Sequence, residues 1–250
     1  MQKDFHYYLT AALAVRAGFD KSESALIAWS DQYTDECTQA PVNGVQTAVK
    51  VSLLGTDGWR SEHIQTTVLS AFHFLPGDDP DKPRMTTQGC TVAQNLLLAA
   101  EDIFGFGIAL HSFQDTYSHQ GFSGFYEDVN RCWPVTNWQA ILPQVGHTEL
   151  GLAPDIIDQV WTDPRNNKII NNRRRALDCA EATFAALCRF RESEQKDISY
   201  LRPLLSLPYE QRKTELMKLA GVKRFKELNY HSRYCSDFNR AAKEQLALVL

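Results

Sequence analysis

The sequence has no long apolar run and no excess of basic residues. No apolar stretch reaches the roughly 18 residues needed to cross a bilayer. The N-terminus also lacks the basic start and apolar run of a secretory signal. Lys and Arg number 26 against 30 Asp and Glu, a net charge of −4, which argues against a general nucleic-acid-binding surface. We expect no transmembrane segment, and a protein that is cytoplasmic or exported without a cleaved signal peptide.

Several catalytic and metal-binding motifs are also absent. The six cysteines form no Cys-x-x-Cys pair, which disfavours a thiolate zinc finger and suggests reduced, buried thiols. The absence of Glu-x-x-His and His-Glu-x-x-His disfavours ferritin-like di-iron proteins and one large class of metalloproteases. No Gly-x-Ser-x-Gly elbow and no phosphate-cradling glycine-rich loop occurs either.

The composition is that of a folded globular chain, with 44% hydrophobic and 22% charged residues in 250. Helical periodicity dominates, and we predict one domain spanning residues 1–250. The stretch Thr47–Leu54 leans towards β structure. The predicted helices cover residues 5–18, Ser22 to about Cys37, a buried central helix from Thr91 to about His119, 172–193, one opening near Pro208 and one from about Ser236. The predicted loops are 77–83 and 120–170.

The densest candidate site is His111-Ser-Phe-Gln-Asp115-Thr-Tyr-Ser-His119. In a helix, residues four apart share a face and are separated by about 6 Å along the axis. His111 and Asp115 can therefore hold one metal ion while Asp115 and His119 hold a second. Imidazole and carboxylate ligands suit zinc. The alternative is an ordinary helix with polar residues near its end; three ligand types in register favour the metal site.

A second pair, Asp31 and Asp35, is also spaced four apart at a predicted helix end. Like charges on one helix face repel by a few tenths of a kcal/mol unless a cation lies beside them. Taken alone, the pair is more typical of a solvated acidic helix end.

The other histidines divide by their surroundings. His6 follows Phe5, His73 is flanked by phenylalanines, and His147 lies in a glycine-containing segment. Each of these, taken singly, is more often a core histidine than a ligand. His63 and His231 lie in polar surroundings, and we expect both at the surface.

Taken in order, these residues resemble the zinc-dependent phospholipase C superfamily, which includes the single-strand-specific zinc nucleases. The sequence is most similar to a bacterial branch of that superfamily with the same order of motifs. The similarity covers about residues 5–180. The shared motifs are Phe-His-Tyr-Tyr (5–8), Gln-Tyr-x-Asp (32–35), Phe-His-Phe-x-Pro-Gly (72–77), His-x-Phe-x-Asp-x-x-x-His-Gln-x-Phe-x-Gly (111–124), Gly-His (146–147), Pro-Asp (154–155) and Asn-Asn (171–172).

The resemblance implies an all-α, single-domain helical bundle around a buried cluster of two or three zinc ions. Residues 181–250 would form C-terminal helices outside the motifs. Transferred by position, the resemblance implies a first zinc held by Asp35, His73, His111 and Asp115, a second held by His119, His147 and a carboxylate, and a third held by His6 and Asp115.

The sequence departs from the superfamily pattern in three places. A mature N-terminal amine normally ligates the third zinc, and no cleavage site that would create one is visible here. His119 comes four residues after Asp115, where six is usual, and Gly151 replaces the usual last glutamate. We expect Asp155 to complete the second group, with Glu149 and Asp158 as alternatives.

The resemblance implies a phospholipase C-like, metal-dependent hydrolase of phosphoesters. Two close zinc ions lower the pKa of a water to about 7 and neutralise phosphoryl oxygens. Asp31 is the candidate catalytic base, or a residue that orients a ligand. The enzymatic alternative is a single-strand nuclease or nucleotidase, which would require stacking aromatics and a basic groove. The non-enzymatic alternative is a helical interaction module with structural metal.

The expected partner is a small-molecule or lipid phosphoester, with nucleic acid disfavoured. Arg173, Arg174 and Arg175 could attract a phosphate at a helix start, although such a run is more typical of a solvated face. The tryptophans of the predicted long loop could form an apolar rim or a lip for peripheral membrane contact, or could pack in the core. They are Trp133, Trp138 and Trp161.

Overall fold

The computed structural model describes residues 1–41, 44–49, 61–134, 142–227 and 229–250. This part of the chain is mostly helical, with one antiparallel two-stranded sheet, which confirms the all-α prediction. Two π-helical segments, Asp4–Leu9 and Gln65–His73, accompany the α-helices. The main elements are α1 (Thr10–Ala17), α2 (Lys21–Thr34), α3 (Thr91–Ala99), α4 (Ile103–Ser118), β1 (Val160–Asp163), β2 (Lys168–Asn171), α5 (Asn172–Arg191), α6 (Tyr209–Ala220) and α7 (Tyr230–Val249).

The N-terminal helices are bounded by strong local signals. The first π-helical segment runs directly into α1, which ends where Gly18 adopts a φ of 100°, a conformation that glycine reaches without steric cost. Asp20 then caps α2, because its side chain accepts hydrogen bonds from the backbone N–H groups of Ser22 and Glu23. The Glu23 carboxylate accepts a hydrogen bond from the backbone N–H of Asp20 in return.

The prediction of one continuous helix from Thr91 to about His119 is wrong. The chain becomes extended at Ala100 and divides the stretch into α3 and α4. Asp102 accepts hydrogen bonds from the backbone N–H groups of Phe104 and Gly105. This cap satisfies two backbone donors at the start of α4. Apolar periodicity alone does not reveal that a new helix starts here. The expected central position of α4 is confirmed, since it packs against α2, α3, α5 and α7.

Close packing of α4 on α2 depends on Gly107. A Cβ atom at this position would lie 2.5 Å from the Ile27 carbonyl oxygen and 2.6 Å from Ser30 Cβ. A Cβ atom at Gly105 would meet nothing closer than 3.7 Å. The bare backbone at Gly107 therefore brings together two helices that both carry candidate ligands.

The predicted 120–170 loop contains the β1–β2 hairpin. In its turn, the backbone N–H of Arg165 donates to Asp163 Oδ1, and Asn167 adopts a φ of 58°. Each strand is four residues long, too short for alternating polarity to identify it against the surrounding loop. The β-leaning stretch Thr47–Leu54 forms no strand over residues 47–49, and its residues 50–54 lie outside the described part.

The C-terminal helices cover the N-terminal segment. One apolar core contains residues from both ends of the chain. The Arg212 guanidinium on α6 is buried and lies 2.6 Å from Asp4 Oδ2 and 2.9 Å from Asp158 Oδ1. α7 starts earlier than the predicted Ser236, at Tyr230. Among the described residues, no helix has both the length and the apolar character to cross a membrane.

Candidate metal centre

The structure brings all eight predicted metal ligands into one region. The two remaining histidines, His63 and His231, are exposed, as predicted. The eight are His6 in the first π-helical segment, Asp35 at the end of α2, His73 at the end of the second π-helical segment, His111 and Asp115 on α4, His119 directly after α4, and His147 and Asp155 in the loop before β1.

Asp35, His73, His111 and Asp115 form one compact group. His111 Nε2 lies 3.1 Å from His73 Nδ1 and 3.3 Å from Asp115 Oδ2. Asp35 Oδ1 lies 3.5 Å from His111 Nε2 and 3.7 Å from His73 Nδ1. His73 Nδ1 and Asp115 Oδ2 are 3.2 Å apart. Ligands bound 2.0–2.2 Å from a tetrahedral zinc ion are about 3.3–3.6 Å from one another, so these residues fit zinc in chemistry and in spacing.

The five site histidines share an arrangement typical of metal ligands. In each ring, one nitrogen faces an oxygen atom that does not belong to any of the eight predicted ligands. The other nitrogen faces the predicted ligands and could bind a metal ion. A carbonyl oxygen can only accept, so the nitrogen facing it carries the proton and the second nitrogen keeps its lone pair. Such partners fix the orientation of metal-binding histidines and raise their basicity. The pairs are His6 Nδ1 with Gln114 Oε1 (2.8 Å), His73 Nε2 with the Thr47 carbonyl (2.7 Å), His111 Nδ1 with Asp31 Oδ1 (3.3 Å), His119 Nδ1 with the His73 carbonyl (2.8 Å) and His147 Nδ1 with the Gly151 carbonyl (2.8 Å).

His119, His147 and Asp155 form a second group. Asp155 Oδ1 lies 3.1 Å from His119 Nε2, and Asp155 Oδ2 lies 3.3 Å from His147 Nε2. The chain leaves α4 at Ser118, so His119 does not simply continue the helical row that begins at His111. Its Nε2 faces Asp155, while its Nδ1 lies 3.6 Å from Asp115 Oδ2.

Asp115 stands between the groups with 1% of its surface exposed. Its Oδ2 faces the first group, and its Oδ1 lies 3.3 Å from His6 Nε2, where the resemblance implies a third ion. The α-amino group of Met1 lies 2.6 Å from the same Oδ1 and 3.5 Å from Asp155 Oδ1. The spacing of histidines and carboxylates along the sequence does not predict this amine as a site group.

Opposite charges keep these buried groups ionised. Burial lowers the pKa of His111, yet Asp115 and Asp35 raise it overall to about 10. Burial raises the pKa of Asp115, yet His119, the Met1 amine and His111 hold it well below its usual range. Protons and a divalent cation therefore compete for the same atoms.

Asp31 is a charge partner of two histidines. Its Oδ1 lies 2.9 Å from His6 Nδ1 and 3.3 Å from His111 Nδ1, and its Oδ2 accepts a hydrogen bond from Thr10 Oγ1. Gln114 Nε2 donates to Thr10 Oγ1, which turns Gln114 Oε1 towards His6 Nδ1. His6 Nδ1 therefore carries a proton, so His6, Asp31 and His111 are not a coordination group although their donor atoms lie close together. Asp31 is fully buried, so the solvated helix end that the pair alone suggested is wrong at this position.

Of the three carboxylates considered for the second group, Asp155 is the one that faces both histidines. Glu149 is buried elsewhere and accepts a hydrogen bond from the backbone N–H of Cys132 at 2.7 Å. Asp158 pairs with Arg212. Spacing along the chain does not separate these carboxylates, because all three follow His147 within one irregular segment.

The prediction that the tryptophans form an apolar rim or membrane-contacting lip is wrong for Trp161. This residue is buried and donates its Nε1–H to Asn172. Trp133 is partly buried and packs against a small apolar cluster formed by Trp161, Phe74, Phe122 and Cys132. Trp138 lies outside the described residues. In the basic run, Arg175 donates to the Ser118 carbonyl at 3.2 Å, so part of that run serves internal packing.

A cavity of about 590 Å³ opens onto the candidate ligands. Gln32 also borders it and did not emerge from the sequence analysis as a site residue. The lining includes Asp35, His73, Asp115, His119, His147 and Asp155, together with Gln32, Leu69, Phe74, Val145, Leu152 and Tyr209.

Nearly the whole chain matches one protein family. A family of unknown function, DUF6765, matches residues 1–248. No curated protein and no solved structure matches the chain significantly. The chain therefore belongs to DUF6765.

Proposed function

We propose that the protein is a zinc-dependent hydrolase of phosphoesters that uses two or three metal ions. The observation that carries the proposal is the first group, whose five ligand-to-ligand distances of 3.1–3.7 Å lie within about 0.2 Å of the edges of a zinc tetrahedron. Four of the five site histidines have the second ring nitrogen 2.7–2.8 Å from an acceptor, which supports the same assignment.

The openness of the site favours catalysis over a structural metal. Structural zinc sites are closed by protein ligands, whereas catalytic sites keep a position for water. Here the Asp35 side chain is 33% exposed, and His147 and Asp155 are 15% and 12% exposed. All three border the cavity, so a substrate can approach both groups from one side.

Each residue has a distinct part in the proposed reaction. Zinc, when bound, would supply an acidified water and neutralise the charge of phosphoryl oxygens. The five site histidines, Asp35, Asp115 and Asp155 would hold the ions. We assign Asp31 a positioning role, because it is fully buried, does not border the cavity, and is engaged by Thr10 and two imidazoles. We prefer this role to that of a catalytic base, because Asp31 is absent from the lining of the cavity that a substrate would enter.

The substrate class follows from the resemblance and from the cavity wall. The resemblance to the phospholipase C superfamily implies a phosphoester. Leu69, Phe74, Val145 and Leu152 line the cavity beside the ligands, and Leu152 is 62% exposed at the surface. We therefore propose a small-molecule or lipid phosphoester with an apolar portion, and contact with a lipid surface near Leu152 in the lipid case.

Metal analysis and hydrolysis test the proposal together. Purified protein should contain two or three zinc ions, and His73→Ala should bind fewer ions and lose hydrolysis of a p-nitrophenyl phosphodiester. The matched control, His63→Ala, removes an exposed histidine and should change neither. Release of a lipid headgroup compared with release of nucleotides separates the phospholipase-like activity from that of a nuclease. Protein that binds no zinc, and loses no stability on chelation, would refute the proposal.

A further inference from the structure

Gln32 presents a free amide donor to the cavity beside the candidate ligands. The residue lies on α2 and is 4% exposed. Its Oε1 is turned into the protein and has almost no accessible surface, so Nε2 is the end of the carboxamide that reaches the cavity. Within the described part of the chain, Nε2 donates no hydrogen bond. Nearly buried amides usually find a partner, so a free donor in a cavity wall points to a ligand that accepts a hydrogen bond.

The donor lies close to the first group of candidate ligands. Gln32 precedes Asp35 by three residues, so the two side chains share a helix face and are separated by about 4.5 Å along the axis. The Asp35 side chain is 33% exposed and borders the same cavity. A ligand that enters the cavity and reaches Asp35 therefore lies within about one helical turn of Gln32.

The charges of the cavity wall indicate which acceptor the donor would meet. The two ammonium groups of the described lining are engaged, Lys3 with Glu36 at 2.6 Å and the Met1 amine with Asp115 at 2.6 Å. A phosphoryl group held at the candidate ligands has several non-bridging oxygens, and an oxygen that faces no cation requires a donor from the protein. A hydrogen bond to such a charged oxygen is stronger than one to a neutral acceptor.

We infer that Gln32 is a substrate-binding residue, and that its Nε2–H donates a hydrogen bond to a non-bridging oxygen of the phosphoryl group. The inference rests on the proposed function for the phosphoryl group and on the free, cavity-facing Nε2 for the contact. A fixed donor in a site shielded from water stabilises phosphoryl charge without a cost of reorganisation during the reaction.

Binding of inorganic phosphate to the zinc-loaded protein, measured by calorimetry, tests this inference without requiring turnover. Gln32→Met keeps the volume of the side chain but loses the donor, and should weaken phosphate binding by about tenfold or more. The value of kcat/KM for a p-nitrophenyl phosphodiester should fall by a similar factor. The matched control, Gln94→Met, replaces an exposed glutamine on α3 and should change neither quantity.

Zinc content and Tm separate a contact with phosphate from a structural role. Because Gln32→Met also removes a buried oxygen that has no hydrogen-bond partner, its Tm and zinc content should equal or exceed those of the wild type. Gln32→Glu keeps the shape of the side chain but replaces the donor by a negatively charged oxygen, and should bind phosphate even more weakly. It provides the same test if Gln32→Met does not fold.

A phosphate Kd that is unchanged in both variants, or a loss of zinc that accounts for the weaker binding, would overturn the inference. Wild-type, zinc-loaded protein that binds no phosphate would overturn it as well. Hydrolysis that persists unchanged in both variants would contradict the role of Gln32 and leave the proposed function standing. Phosphate binding that depends on Gln32, without hydrolysis by the wild type, would support the role of Gln32 while contradicting the proposed function.

Discussion

Replacing Asp31 by Asn tests the central electrostatic argument about the metal centre. The change removes one negative charge that lies 2.9 Å from His6 Nδ1 and 3.3 Å from His111 Nδ1, and keeps the side-chain size. Thr10 can still bond to the new side chain, because its hydroxyl both donates and accepts. Loss of a partner that orients a metal-binding histidine weakens metal affinity by about 10–100-fold, or about 1.4–2.7 kcal/mol. Since two histidines share Asp31, we expect a loss near the upper end.

The zinc affinity of Asp31→Asn can be measured by competition with a chromophoric chelator, with circular dichroism to check the fold. Hydrolysis should fall at zinc concentrations that saturate the wild type, and should recover in part when zinc is raised. Asp178→Asn, on the exposed surface of α5, removes the same charge far from these contacts and should leave zinc affinity unchanged. An Asp31→Asn protein with wild-type zinc affinity would refute the positioning role.

The remaining predictions concern helix packing and protons. Gly107→Ala should destabilise the protein by about 1–3 kcal/mol in urea denaturation, because its Cβ meets the Ile27 carbonyl oxygen at 2.5 Å; Gly105→Ala, the matched control, has room and should stabilise by about 0.5–1 kcal/mol. Zinc binding at neutral pH should release about one proton from His111, whose pKa is about 10 without metal; equal calorimetric enthalpies in buffers of different ionisation enthalpy would contradict this. Because the pKa of His111 is higher in the folded protein than its ordinary value of 6.5, protonation of His111 stabilises the metal-free fold. This stabilisation is complete at pH values below 6.5 and is lost as the pH rises through about 10. Chelated protein should therefore melt at a lower temperature at pH 10 than at pH 7, and a Tm that does not fall would count against the pairing of His111 with Asp115.

Local signals predicted much of the helical framework. The apolar periodicity of α4 and the start signal of α2 are short-range features, readable within a few residues. The predicted start at Ser22 lies one residue after the observed start at Lys21, because Asp20 is the residue that caps the helix. The break at Asp102 was missed, because the residues on both sides of it carry an apolar helical pattern. The β-hairpin was missed because each strand is only four residues long.

Local spacing along the chain likewise predicted some features of the candidate site and left others undetermined. The spacing of His111 and Asp115 on one helix indicated shared coordination, and the structure places their facing atoms 3.3 Å apart. The choice of Asp155 over Glu149 was not derivable from spacing, because both lie in irregular chain after His147. The tertiary structure separates them by giving Glu149 a backbone partner at Cys132.

The sequence by itself determined the helical class and the residue types that could serve as ligands, since both follow from patterns repeated over a few residues. Tertiary packing alone decided which nitrogen of each histidine is free, because the acceptors at Thr47, Gln114 and Gly151 come from other segments or from loop backbone. Packing also turned Asp31 from a helix-end charge into the buried partner of His6 and His111. The physical reason is that a burial cost and a charge pair depend on neighbours distant in the chain, which no local pattern encodes.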